Sequence, residues 1–279
     1  MEMSPAVTVL VLGAALLHAS WNAIIKSSRD VVLDTALVAA GASFLSLPLI
    51  SAVPMPASAS WPFLAASIGI HVGYFAMLAR AYRTGDLGHA YPLMRGTAPL
   101  LVALFGVALL HEHPSTNMWL GIVLISAGIL SIGLLQKGRA QRDATAWALT
   151  NAVIIASYTL VDGAGVRLAA SAAGYVAWMF LLQGFIFIGL VVVLRQRAAL
   201  LYIGRNWRRG LAGGLFLIGS YGIVLWAMTR APVAAVAALR ETSVIFAAVL
   251  GSVFLKEPFG RRRVMGACAV ALGVMALRL

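Results

Sequence analysis

Arg95 and Arg240 are charged side chains set deep in apolar sequence, Arg95 in the run 87–110 and Arg240 in the run 232–255. An ionisable group at such depth in a membrane costs about 2.5–3.5 kcal/mol on insertion scales, so it normally faces a polar cavity or a partner. A guanidinium group grips a carboxylate through two parallel hydrogen bonds, which suits either arginine to the acid group of a small substrate. The structural alternative ties each to backbone carbonyls or to a carboxylate such as Asp162 or Glu241, the latter adjoining Arg240 in the chain.

Rings with polar tips gather near these arginines in the sequence. His71, Tyr74, Leu78 and Tyr82 follow helical spacing and share one face, and Tyr91 precedes Arg95 by one turn. His18, Trp21 and Asn22 cluster in the first apolar run, while Tyr158 and Asp162 share a face of the sixth. Lipid-facing surfaces rarely carry so many polar atoms, and such side chains suit a cavity that is partly apolar and partly wet. The blander reading, an interfacial belt, fits Trp61, Trp119, Trp147 and Trp207 at the ends of apolar runs. No metal-ligand spacing or cofactor motif is apparent. A phosphate-binding GxxxxGK[ST] loop, GxSxG, HExxH and paired intramembrane aspartates are all missing, so an ATP-driven pump, a hydrolase or a protease has no motif support. The single cysteine, Cys268, precludes an internal disulfide and reads as a small packing residue.

The elements that must position these side chains are membrane helices. The chain is 61% hydrophobic and 11% charged, with a mean hydropathy of +0.93, whereas a soluble domain is about a quarter charged. Its long, unalternating apolar runs exclude a β-barrel. Ten spans are expected, at 4–26, 33–53, 62–82, 87–110, 116–135, 144–166, 172–194, 208–229, 232–255 and 262–278. The first is read as a retained helix rather than a secretion signal, since only Glu2 stands where a basic leader would be. The net charge of +12 is distributed at the ends of apolar runs and not in one patch, so it describes topology and not a nucleic-acid partner.

The stretch Arg95–Leu130 lies without a gap on Arg240–Met275. Arg95 then falls on Arg240, Glu112 on Glu257, Gly121 on Gly266 and Gly128 on Gly273. The expected fold is therefore an all-α membrane protein of ten transmembrane helices in two repeats, 1–137 and 138–279, divided at the polar linker 136–143. Five crossings per copy force the second to enter the membrane from the opposite side, so the repeats are inverted and would set Arg95 and Arg240 in opposite halves of a central cavity. Lysine and arginine favour the connections after the odd-numbered spans by sixteen to three, which places those connections in the cytoplasm and both termini outside. Glu112 and Glu257, in the turns before the fifth and tenth spans, are expected to complement the positive ends of the helices that follow. The paired glycines mark faces of close helix packing, within or between protomers.

Ten helices in two halves, a glutamate after the fourth and ninth, and a glycine-spaced helix after each together resemble the drug/metabolite transporter superfamily, in its EamA-type branch, over essentially the whole chain. In length and in the aromatic and histidine content of the third span the chain is most similar to the YddG-type amino-acid exporters. The resemblance implies a secondary carrier in a bacterial inner membrane, with alternating access around a cavity lined by helices 1, 3, 4 and 6. The expectation is export of amino acids or similar small zwitterions by a monomer with no cofactor and no partner beyond the solute and membrane lipid. Arg95 would hold the carboxylate, His71, Tyr74, Tyr82, Tyr91 and Trp21 would shape the pocket, and Asn22 or Asp162 would meet the amine. Carriers of other small metabolites or drugs, an intramembrane enzyme and a membrane scaffold are the alternatives.

Overall fold

The computed structural model describes residues 3–26, 30–84, 87–133, 141–255 and 261–278. Among them the regular structure is helical throughout: α1 (Pro5–Lys26), α2 (Val31–Ala52), a 3-10 turn (Ser58–Ser60), α3 (Trp61–Thr84), α4 (Leu87–Leu110), α5 (Thr116–Gly133), α6 (Gln141–Leu168), α7 (Ala172–Arg195), α8 (Arg197–Arg205), α9 (Trp207–Met228), α10 (Val233–Arg240), α11 (Ser243–Leu255) and α12 (Arg261–Ala276). Seven stretches, in α1, α2, α4, α6, α7, α9 and across α10–α11, are long and apolar enough to cross a membrane, and α5 and α12 are shorter apolar helices.

The ends of these helices follow local chemistry. Asp30 accepts from the backbone N–H groups of Val32 and Leu33, both at 3.1 Å, and so starts α2. Ser171 starts α7 by accepting from Gly174 N–H at 3.1 Å. Between α7 and α8 the chain turns at Gln196, whose φ of 48° lies in the left-handed region and cannot continue a helix.

Among the described residues helix occupies nearly all of each expected span, but helices and spans do not correspond one to one. The ninth span is two helices, broken at Glu241–Thr242. The break is local: the Glu241 and Thr242 N–H groups return to Ala238 O and Leu239 O, both at 3.1 Å, bonds of 3-10 spacing that replace the helical ladder there, and the Thr242 hydroxyl also donates to Leu239 O at 2.8 Å. A further helix, α8, occupies 9 residues of the connection between the expected seventh and eighth spans. Its outer side mixes arginine with leucine, so no unbroken apolar run announces it.

The pairing of α5 with α12 has reciprocal geometry. A Cβ on Gly121 would stand 2.8 Å from Gly273 O, and one on Gly273 would stand 2.8 Å from Gly121 O; Gly128 and Gly266 stand in the same relation, again at 2.8 Å. Since Gly121 lies on Gly266 and Gly128 on Gly273 in the sequence overlay, each glycine touches the counterpart of the other, which is the self-complementary pattern of a two-fold contact. The glycine faces thus pack helix on helix within one chain. Cys268, expected to be a packing residue, is instead exposed on another face of α12. A second close approach joins α2 to α9, where a Cβ on Gly41 would fall 2.0 Å from Gly210 O.

All eight residues of α10 are buried. Glu112 supports this helix and not, as expected, the following α5, whose first turn is capped by Ser115. The Glu112 carboxylate accepts from Val233 N–H at 2.8 Å and Ala234 N–H at 3.4 Å, the free amide groups of the α10 N-terminus. It also pairs with Arg167 at 2.8 Å. Glu257, its counterpart in the overlay, lies outside the described residues.

Candidate functional site

Arg95 leaves α4 one turn beyond Tyr91 and is almost wholly buried, at 4% exposure. Its Nη1 donates to Glu241 Oε1 at 3.3 Å, its Nη2 donates to His18 Nε2, and its Nε reaches the Tyr91 hydroxyl at 3.5 Å. Arg240, at the end of α10, donates to the same Glu241 Oε1 from Nη2 at 3.0 Å and from Nε at 3.3 Å. Glu241 is placed to receive both because the helix breaks at that residue. Its second oxygen, Oε2, is buried and finds no donor among the described residues. The two arginines therefore do not lie in opposite halves of the cavity: one carboxylate draws them together.

Both line a central cavity with room for the centres of water-sized molecules over about 90 Å³. On the α1 side stand His18 and Trp21, edge to face with ring centroids 5.0 Å apart. The Trp21 indole N–H is buried and has no acceptor among the described residues. From α3 come His71 and Tyr74. The His71 ring stacks on Tyr158 of α6 at 4.2 Å, and its Nδ1 stands 2.9 Å from Ser67 O. Because a carbonyl only accepts, Nδ1 carries the proton in this arrangement and Nε2 is left as the acceptor. Tyr74 meets Tyr158 edge to face at 6.0 Å.

Of the residues read from the sequence, the structure brings Arg95, His18, Trp21, His71, Tyr74 and Tyr158 together on the cavity wall. Three others stand behind it. Tyr91 contacts Arg95 from within α4. Asn22 turns its amide back to His18 O at 2.7 Å. Asp162 is fully buried, with its two oxygens accepting from Tyr175 at 3.0 Å and Tyr221 at 2.5 Å. The side chain of Tyr82 lies outside the described residues.

The second half of the chain supplies wall residues that the sequence reading passed over: Phe180, Gln183 and Phe187 from α7, and Leu217 and Tyr221 from α9. Two signals pointed to them. Gln183 is a lone amide in a long apolar run, a costly placement unless it faces something polar. Tyr221 is a ring with a polar tip inside the eighth apolar run, the same kind of signal as Tyr158 in the sixth.

The site's chemistry is that of a pocket for an acceptor-rich small molecule. Two guanidinium groups, from α4 and α10, share its lining with aromatic side chains of α1, α3, α6, α7 and α9. Among the described residues no cluster of metal-binding side chains accompanies them.

In sequence, the family model described as the EamA-like transporter family matches residues 6–134 and 144–279. No curated protein matches the chain. Among solved structures, 29 chains match. One crystal structure with 18% identity superposes with a TM-score of 0.77 over 100% of this chain and 99% of its own, a likeness that shows the fold.

Proposed function

The chain belongs to the EamA-like transporter family, and from that premise and the geometry of the central pocket we propose that it is a secondary carrier exporting amino acids or similar small zwitterions by alternating access. The observation that carries the reading is the meeting of Arg95 and Arg240 on one carboxylate oxygen, Glu241 Oε1, at the wall of the cavity. A site that already holds a carboxylate between two guanidinium groups is chemically suited to a substrate carboxylate, which would displace or share Glu241.

The ammonium end of such a substrate fits the aromatic wall. Tyr158, Tyr221 and Phe180 offer ring faces for a cation, and the Asp162 carboxylate behind Tyr221 supplies negative potential without touching the cavity. In this reading Asp162 acts through the tyrosines that cover it, and Asn22 through His18. The largely apolar remainder of the lining also suits a bulkier metabolite or drug, which is the second reading.

The same proposal takes the chain as two inverted five-helix repeats, 1–137 and 138–279, with ten crossings in a bacterial inner membrane and both termini outside. The reciprocal glycine contacts of α5 and α12 support the two-fold relation. In it α10 and α11 form one broken crossing and α8 lies along the cytoplasmic surface. A kinship with the YddG-type exporters and a monomeric carrier belong to this reading too.

Counterflow of labelled amino acids in proteoliposomes tests it. The expected result is saturable exchange for one or more amino acids; no saturable exchange across a broad panel removes the amino-acid assignment.

A further inference from the structure

We propose that Glu112 and Arg167 are positioning residues of the transport step: their ion pair holds the α9–α10 junction shut and sets the helix that carries Arg240 against the pocket, and it must part for solute to pass at that end. The inference rests on the carrier reading above. Three distant segments meet in the pair. Glu112 follows the end of α4, where His111 adopts a left-handed φ of 52° and Glu112 N–H returns to Gly106 O at 3.2 Å. That turn throws the carboxylate onto the α10 N-terminus, where it accepts from Val233 and Ala234. Arg167, in the last turn of α6, donates from Nε to Met228 O at 2.8 Å and from Nη2 to Ala231 O at 3.1 Å.

The junction between α9 and α10 thus has much of its backbone satisfied by these two side chains. Pro232 has no N–H to offer, Met228 and Ala231 carbonyls go to Arg167, and the first amides of α10 go to Glu112. Parting the pair leaves those groups to water, so opening and hydration of this end occur together. The Arg167 side chain is 28% exposed against 7% for Glu112, which places the pair at the water boundary, where it can be broken more cheaply than in a dry core. From this boundary α10 runs about 12 Å, at 1.5 Å per residue, directly to Arg240 and Glu241. A shift of its capped end is therefore transmitted along a rigid, buried rod to the carboxylate-holding pair.

The test uses the full chain in nanodiscs with Cys268→Ala and the fully buried Ala231→Cys as reporter, labelled with a membrane-impermeant maleimide. Glu112→Gln and Arg167→Gln are each expected to raise the labelling rate about tenfold, equivalent to about 1.4 kcal/mol. In counterflow the same variants are expected to change the maximal rate while leaving KM within about twofold, since neither residue lines the pocket. Unchanged labelling in both variants, with an intact elution profile, overturns the proposal. If a neutral variant fails to fold, Arg167→Lys decides: it keeps the charge opposite Glu112 but loses the fork that spans both carbonyls, and labelling equal to the parent overturns the proposal. Labelling needs no transport, so a failed amino-acid assay and a failed clasp are told apart.

Discussion

Arg95 and Arg240, which occupy the same position in the two copies of the repeated stretch, donate to a single oxygen of Glu241 at 3.3 and 3.0 Å. The carboxylate has no counterpart at that position in the first copy, where Gly96 follows Arg95. Two like charges are thereby held side by side at the cavity wall with one counter-ion between them. The pocket keeps net positive character near the pair, and an incoming carboxylate meets donors already in place.

Removing one arginine should abolish transport without unfolding the chain. In Arg95→Ala, Glu241 keeps Arg240 and is not left as a lone buried charge. Loss of a buried charge-paired contact to substrate costs about 2–5 kcal/mol, so counterflow should fall at least about 30-fold. Wild-type exchange in a correctly folded Arg95→Ala protein would assign this side chain to structure alone.

Glu241→Gln should behave differently. It leaves two buried guanidinium groups without their carboxylate, and breaking a buried ion pair in this way costs about 3–5 kcal/mol. The unliganded variant should melt several degrees lower than the parent. A carboxylate substrate replaces the missing charge, so its thermal shift should be larger in the variant; an equal or smaller shift would place the substrate carboxylate away from the arginines.

Tyr221→Phe should weaken both the wall and what lies behind it. The hydroxyl donates to Asp162 at 2.5 Å in a fully buried setting, and hydrogen bonds to charged groups contribute about 1.5–3 kcal/mol. Asp162→Asn should affect stability in the same direction, and the double variant should lose less than the sum of the two. Additive losses in thermal unfolding would show that the two residues are not coupled.

The helix pairs predict a contrast between glycines. A Cβ at Gly121 would sit 2.6 Å from Leu277 Cγ and 2.8 Å from Gly273 O, so Gly121→Val should destabilise by at least about 1–3 kcal/mol, the usual cost of overpacking. At Gly69 a Cβ meets nothing within 4 Å, and Gly69→Ala should be neutral or stabilising by up to about 1 kcal/mol. Unfolding midpoints in detergent read both; similar values for the two variants would contradict the α5–α12 packing.

Class, family and much of the pocket were legible in the residues themselves. Hydropathy is a local property, so the apolar runs marked where helices stand, and the buried arginines stood out against them. The repeat of Arg95, Gly121 and Gly128 in Arg240, Gly266 and Gly273 exposed the duplication, because polar and glycine matches at fixed spacing do not arise from apolar composition. Periodicity also put His71 and Tyr74 on one face, and that face is the one turned to the cavity.

Only the tertiary structure decided which way each helix is rotated and whom it meets. Asp162 was available as a wall residue; packing of α6 against its neighbours buries its carboxylate, and Tyr221 of α9, bonded to it, lines the cavity instead. Glu112 was equally free to cap the helix that follows it, yet it caps α10, more than a hundred residues along the chain. The break at Glu241 hides in an apolar run that reads as continuous, because it is a local tightening of backbone hydrogen bonds that no glycine or proline marks. Spacing along a chain specifies what a helix carries, while the contacts between distant helices specify which of those side chains see the cavity.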